Sequence, residues 1–263
     1  MIRRALSKLA RMSLVDRSKL AVLFEQDHLR RFLAELDVDC IFDVGANVGQ
    51  YASMLRRKAK YRGRIISFEP LVNEFDALQR ISKSDGLWDV ERVGITANGG
   101  TRTFKVMKAS QFSSFSDPIS GDTDKFASAT TILERPSVDT LTLAAIYDKY
   151  HRRYGFRRPF LKLDTQGLDV EIVTSSKSVL QRFVGFQSEL AVKKIYEQSE
   201  DFKRAIAIYA DLGFELSALV PNNTGHFPTL IEIDCIMIRR DLAERYLRLP
   251  ASADVEVRSR ASG

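Results

Sequence analysis

The stretch CIFDVGANVGQYA, residues 40–52, joins an apolar run ending in Asp43 to a glycine-punctuated turn and then to a helix without a phosphate-binding lysine. One explanation has to cover the acid before the turn, the glycines within it and the missing cation after it. In an open α/β sheet the ligand sits beyond the carboxyl ends of the strands, where the strand order reverses. Gly45 and Gly49 fall at such an edge, and without side chains they allow positive φ and a close approach of ligand to backbone. Their spacing is G-x-x-x-G. The dinucleotide fingerprint G-x-G-x-x-G is absent, which argues against a dehydrogenase, and so is the phosphate loop G-x-x-x-x-G-K-[ST].

A turn with no lysine and with Asp43 at its mouth suits a pyrophosphate poorly. It suits a ligand that combines a positive centre with a small carboxylate. S-adenosylmethionine has that make-up: a sulfonium, an ammonium, a carboxylate and an adenosine. Asp43 would accept from the ammonium, directly or through water, and the N–H groups opening the next helix would receive the carboxylate. The second strand ends in SFEP, which puts Glu69 at its tip 26 residues after Asp43. A carboxylate there is placed to take both ribose hydroxyls.

Working outward, strand-like and helix-like segments alternate. CIFDV (40–44) is followed by a helix over about 49–60, GRIISFEP gives a strand at 64–68, and a helix starts at Leu71. DVERVGI (89–95) and TRTFKVM (101–107) read as two further strands joined by the turn NGG. Residues 108–136 are rich in Ser, Thr, Asp and Pro, lack periodicity and read as a functional or mobile loop. A helix around 140–153, the run PFLKLDTQGLDVEIV, VGFQSEL (184–190) and a helix bearing Phe202, Ala205, Ile206 and Tyr209 come next. FELSALV (214–220) and IEIDCIMIR (231–239) have no full helix between them, as in an antiparallel terminal pair. The alternation predicts a doubly wound, mostly parallel sheet with helices on both faces. We divide the chain into a leader (1–27), one domain (28–240), and a helix end with a frayed tail (241–263).

The formal charge of +6 on 263 residues is misleading. Residues 1–20 hold Arg3, Arg4, Lys8, Arg11, Arg17 and Lys19 against Asp16 alone, a net +5, so the rest of the chain carries only +1. A nearly neutral body argues against extended nucleic-acid contact. In residues 2–12 the apolar side chains fall on one side of a helical wheel and the basic ones on the other. Two readings stay open: a helix packed on the body, and a peripheral contact with an anionic membrane. No run reaches the roughly 20 apolar residues of a membrane span. Cys40 and Cys235 sit singly in apolar runs and read as buried, reduced thiols of a cytoplasmic protein.

Taken together, IFDVGANVGQYA, SFEP, LKLDTQGLDVEIV and SVDTL, in this order and spacing over about residues 28–240, resemble the FkbM family of S-adenosylmethionine-dependent methyltransferases. The resemblance implies a class I methyltransferase-like fold, a seven-stranded sheet with an antiparallel final hairpin. It also implies O-methylation of a hydroxyl on a sugar, glycan, lipid or secondary metabolite. Carried over by position, Asp43, Gly45, Ala46, Asn47, Gly49 and Gln50 line the cofactor turn, and Glu69 takes the ribose. Ser113 and Ser114 resemble a serine-bearing loop near the reaction centre. Gln166 stands where many members carry an acid.

Methyl transfer to oxygen needs the nucleophile aligned and its proton removed. Asp164 ends the strand FLKLD and is the first candidate base; it reads equally well as an N-cap for the helix starting near Leu168. Glu189, ending GFQSEL, is the second candidate, and His226 in PNNTGHFP the third. His151 reads as surface. The run from Lys149 to Arg158 mixes basic and aromatic side chains, either to grip an anionic acceptor or as a solvated face. A metal would require Asp164, Glu189 and Asp234 to converge, and no spacing demands it, so none is expected. Two rival functions stand beside the O-methyltransferase: a catalytically silent cofactor-binding module docked to a membrane or partner, and an RNA methyltransferase.

Overall fold

Strands β1 (Cys40–Val44), β2 (Arg64–Phe68) and β9 (Pro159–Leu163) form because each is a short apolar run, buried along almost its whole length between two helical layers. The computed structural model describes residues 20–119, 128–222 and 228–248. Most of the basic leader and His226 lie outside these described residues.

The described residues open with helix α1 (Leu20–Glu35), which runs unbroken across residue 27 and buries Leu29, Phe32 and Leu33. After β1 come α2 (Gln50–Arg57), β2, α3 (Val72–Ser82) and β3 (Trp88–Glu91). An excursion holds β4 (Gly94–Ile95), β5 (Gly100–Thr103), β6 (Val106–Met107), β7 (Ile132–Glu134) and β8 (Ser137–Leu141). Helix α4 (Leu143–Tyr154) leads to β9, α5 (Asp169–Ser175), α6 (Lys177–Leu180), β10 (Gly185–Ala191) and α7 (Phe202–Asp211). The described residues close with β11 (Phe214–Asn222), β12 (Glu232–Arg239) and α8 (Arg240–Arg248).

The main sheet has the order β11-β12-β10-β9-β1-β2-β3. All neighbours pair in parallel except β12, which is antiparallel to both β10 and β11. It is the seven-stranded, doubly wound sheet with an antiparallel terminal pair that the resemblance implied. Alternate residues feed two cores. Phe42, Phe68 and Leu161 pack with α4, α5 and α7 on one face; Ile41, Ile65 and Phe160 pack with α1, α2 and α3 on the other. Each such side chain contributes about 1.5–3 kcal/mol. The strand order reverses between β1 and β9, which opens a crevice at their carboxyl ends.

Three local expectations change. The stretch 89–95 is two strands: β3 joins the main sheet, while β4 pairs with β8 in a three-stranded side sheet. The chain can leave the sheet there because Gly94 lies against Phe115, whose Cζ would sit 2.7 Å from an added Cβ. The stretch 101–107 is likewise split, since Phe104 turns inward between β5 and β6 and is buried. Residues 137–141 are strand, and α4 starts only at Leu143, capped by the Thr142 hydroxyl. Among the described residues, no helix is long and apolar enough to cross a membrane.

Candidate functional site

The turn after β1 is held by the protein itself. Gly45 and Ala46 N–H both donate to the Phe68 carbonyl, and Asn47 N–H donates to Glu69 Oε2 at 2.8 Å. Gly45 (φ +77°) must lack a side chain, because an added Cβ would sit 2.0 Å from the Asp164 carbonyl oxygen on β9's extension. Gly49 (φ +85°) is bare for a different reason: its Cβ would strike Leu78 and Ile81 of α3. The close approach read from these glycines is therefore made by the chain's own neighbours. Gly49 caps α2 without a side-chain hydrogen bond, which leaves the first amides of that helix open beside Gln50.

A cavity of about 460 Å³ lies over the β1–β9 crevice. Asp43, Gly45, Ala46, Asn47, Gln50, Glu69, Asp164 and Glu189 all line it, and Gly49 does not. The lining includes the apolar residues Phe68, Leu71, Val93, Ile95, Phe104 and Phe115, with Glu74 as a second acid near Glu69. The acids Glu25, Glu189, Glu232 and Asp234 share the lining with Asp164, and among the described residues Lys162 is its one cation. The aperiodic stretch after residue 108 supplies Ser110, Gln111, Phe112, Ser113 and Phe115 to the wall.

Burial pushes the Glu69 carboxyl up to about 7, against the pull of the Leu71 and Asn47 amides that donate to its two oxygens. Asp43 is raised to about 6 by burial, opposed by the Ser67 hydroxyl donating at 2.8 Å and by Lys162. Both acids thus hold a proton in the folded chain at a pH where the unfolded chain has lost it. Stability from these two groups therefore falls as pH rises from about 4 to 7 and is level above that. A hydroxyl-donating ligand on Glu69 needs the ionised form. A ligand that donates hydroxyls to Glu69 is expected to bind roughly tenfold more tightly at pH 8 than at pH 6, and Glu69→Gln should flatten much of that slope; calorimetric titration across this range, with S-adenosylhomocysteine as the probe, measures both.

The Asp164 side chain does not cap a helix. Helix α5 begins at Asp169 after Leu168, with no side-chain cap, and Asp164 Oδ1 instead accepts from Gln166 Nε2 at 2.9 Å. The same nitrogen donates to Glu189 Oε2 at 2.7 Å, and Tyr196 Oη donates to Gln166 Oε1 at 3.0 Å. Gln166 adopts φ +52° to do so. An amide with two donor hydrogens can bridge two carboxylates, whereas an acid at this position would add a third negative charge. Burial, and then the nearby Asp164, hold Glu189 well above the ordinary carboxylate range.

Asp169, buried, supports the turn from below. It accepts from the Thr165 amide and hydroxyl and from Ser188 and the Glu189 amide. Ser114 Oγ donates to the Gln166 carbonyl at 2.7 Å, tying the aromatic wall to the same turn. Ser113 faces the cavity, but its hydroxyl accepts from Met107 N–H.

Part of the run from Lys149 to Arg158 is committed elsewhere. Lys149 and Tyr150 engage Glu91, Tyr154 engages Asp89, and the Arg157 and Arg158 amides donate to Asp39, ahead of β9 and at the opposite end of the sheet from the cavity. None of them lines the cavity.

Sequence reasoning missed a polar row laid in register across four strands: Ser67, Asp43, Lys162 and Gln187. Three of them interrupt an otherwise apolar strand (IISF, CIFDV, FLKL), and those interruptions are the signal the sequence offers; Gln187 stands beside Ser188 and Glu189 in GFQSEL. Trp88 Nε1 donates to Ser67 Oγ. Tyr51 Oη donates to Gln187 Oε1, and Gln187 Nε2 donates to Glu25 and Asp234.

A sequence model described as Methyltransferase FkbM domain matches residues 43–216. No curated protein matches the chain. Similar solved structures include a methyltransferase FkbM from Methylobacillus flagellatus KT, at 15% identity and TM-score 0.44, covering 76% of this chain and 44% of that one. A fibrillarin from Aeropyrum pernix with natively bound S-adenosyl-L-methionine shares 16% identity at TM-score 0.40, over 76% of this chain and 66% of that one. A magnesium protoporphyrin IX methyltransferase from Synechocystis PCC 6803 with bound SAM shares 9% identity at TM-score 0.45, over 86% of each. The chain thus spans less than half the length of the Methylobacillus protein.

Proposed function

The chain belongs to the FkbM family of methyltransferases, whose methyl donor is S-adenosylmethionine, and from that premise we propose that it methylates a hydroxyl oxygen on a sugar, glycan, lipid or secondary metabolite. What carries the reading is the meeting of Asp43, Glu69 and the Asp164–Gln166–Glu189 bridge in one cavity.

The residues present fit the donor. The apolar lining is that expected of an adenine site, Glu69 stands at the tip of β2 where a ribose would reach it, and open α2 amides with Asp43 offer partners for a carboxylate and an ammonium. When bound, S-adenosylmethionine supplies a sulfonium methyl already activated for displacement. The remaining work falls to the acidic lining: to orient a hydroxyl by accepting its hydrogen bond, and to take its proton. Ionised carboxylates only accept, so an acceptor rich in hydroxyls satisfies them. Asp164 is the proposed base, since its Oδ2 is not engaged by Gln166 and its side chain is about a third exposed on the cavity. Glu189, whose carboxyl burial and then the neighbouring Asp164 push upward, is placed to share the acceptor.

The acidic lining bears on the alternatives. An RNA backbone or an acidic glycan would bring further negative charge to a wall with one cation among the described residues, and the basic–aromatic run that might have gripped it contributes nothing to that wall. A radiolabelled-methyl assay over matched neutral, uronic and phosphorylated oligosaccharides tests the reading. Turnover is expected on neutral acceptors, at least tenfold above the anionic ones. Tight S-adenosylmethionine binding with no turnover on any acceptor would favour the silent module instead.

A further inference from the structure

Lys162 is one of the most deeply placed cations of the chain, 5% exposed at the carboxyl end of β9, and its strand neighbours are polar on both sides. Its Nζ lies 3.3 Å from Asp234 Oδ1 and 3.6 Å from Asp164 Oδ2, and it also donates to the Leu163 carbonyl. The ammonium sits 5.7 Å from the Tyr51 ring centre. An isolated buried ammonium is costly, so this one persists because carboxylates from separate elements surround it.

We propose that Lys162 is the positioning residue of the acceptor end: its ammonium ties Asp164 to Asp234 and so fixes the proposed base against the cavity. This rests on the methyltransferase reading and deepens it. Among the described residues, the Asp164 side chain is otherwise held by Gln166 alone, through its other oxygen. With Lys162 on Oδ2 and Gln166 on Oδ1, the carboxylate is clamped from both sides while remaining partly open to the cavity.

The charged surroundings are these. On its own strand extension Lys162 faces Asp164; β10 supplies Glu189, and β12 supplies Asp234 and Glu232. From α5 comes Asp169, and from β1 and α2 come Asp43 and Tyr51. Helix α1 supplies Glu25, which reaches the cluster through Gln187. Lys162 opposes the upward push on Glu25, Asp43, Glu189 and Glu232 alike. Removing it should drive all four further up.

The test compares Lys162→Met and Lys162→Arg in the full chain. With S-adenosylhomocysteine as the calorimetric probe, affinity at pH 8 should stay within about threefold of wild type for Lys162→Met. Carboxyl-carbon NMR of glutamate-labelled protein should show Glu189 and Glu232 titrating at distinctly higher pH, with Lys162→Arg returning them towards wild type. On an acceptor that the wild type turns over, kcat should fall roughly tenfold or more with little change in the donor's KM. Unmoved glutamate titrations, or a large loss of S-adenosylhomocysteine affinity in their place, would overturn the proposal and make Lys162 a cofactor ligand or filler. Should Lys162→Met fail to fold, nitrogen NMR of lysine-labelled wild type decides: a Lys162 amine that deprotonates below pH 9 overturns the clamp, and one charged throughout upholds it. Absence of S-adenosylhomocysteine binding by the wild type would instead sink the methyltransferase reading itself.

Discussion

Asp164→Asn is expected to lower turnover by about 10²–10⁴-fold while leaving S-adenosylhomocysteine affinity within about threefold of wild type. Asparagine keeps the shape of the side chain, and its oxygen can still accept from Gln166 Nε2, so the bridge to Glu189 survives. What is lost is the oxygen that can take a proton. The companion substitution Glu189→Gln should cost far less, because burial raises that carboxyl and disfavours its ionised form, leaving Asp164 to take the proton. Initial-rate kinetics with saturating donor separate the two. A larger loss at Glu189 than at Asp164 would reverse their roles.

The second large effect is on stability. Gly45→Ala should destabilise the fold by about 3 kcal/mol or more. Two causes combine: φ of +77° suits an L side chain poorly, and the new methyl would lie 2.0 Å from the Asp164 carbonyl oxygen. That oxygen is backbone and cannot rotate away. Gly155→Ala is the control, since Gly155 has φ +63° with open space around it; it should cost only about 1–2 kcal/mol. Denaturant unfolding of both variants measures the difference. Comparable losses at the two positions would mean that the β1 and β9 turns are less tightly apposed than described.

Much of this site could be read from the chain because its acids stand at the ends of recognisable apolar runs. Asp43, Glu69, Asp164 and Glu189 each close or follow a strand, and in a doubly wound sheet strand ends converge on one crevice. What escaped depends on pairing between distant strands. Lys162 looks like a solvated residue within FLKLD until β9 is set beside β1 and β10, where it falls between Asp43 and Gln187. Glu25 and Glu232 come from opposite ends of the chain, and no local pattern marks either. The Asp164 cap failed because Thr165 and Asp169 close the turn between themselves, displacing the helix start by one residue. From the sequence Gly49 reads as a ligand contact, whereas α3 packs on it, a fact invisible without the helix crossing.

The row Ser67–Asp43–Lys162–Gln187 has a consequence for how the chain reaches its native state. Side chains alternate across a strand, so a slip of β9 by a single residue would swing the lysine towards Tyr147, Phe183 and the oily layer behind, and present a leucine to the carboxylates. Such a misaligned sheet strands one charge in hydrocarbon and leaves several others without their counterion, a penalty of several kcal/mol. Alignment of the central strands is thereby enforced by the very groups that later face the acceptor.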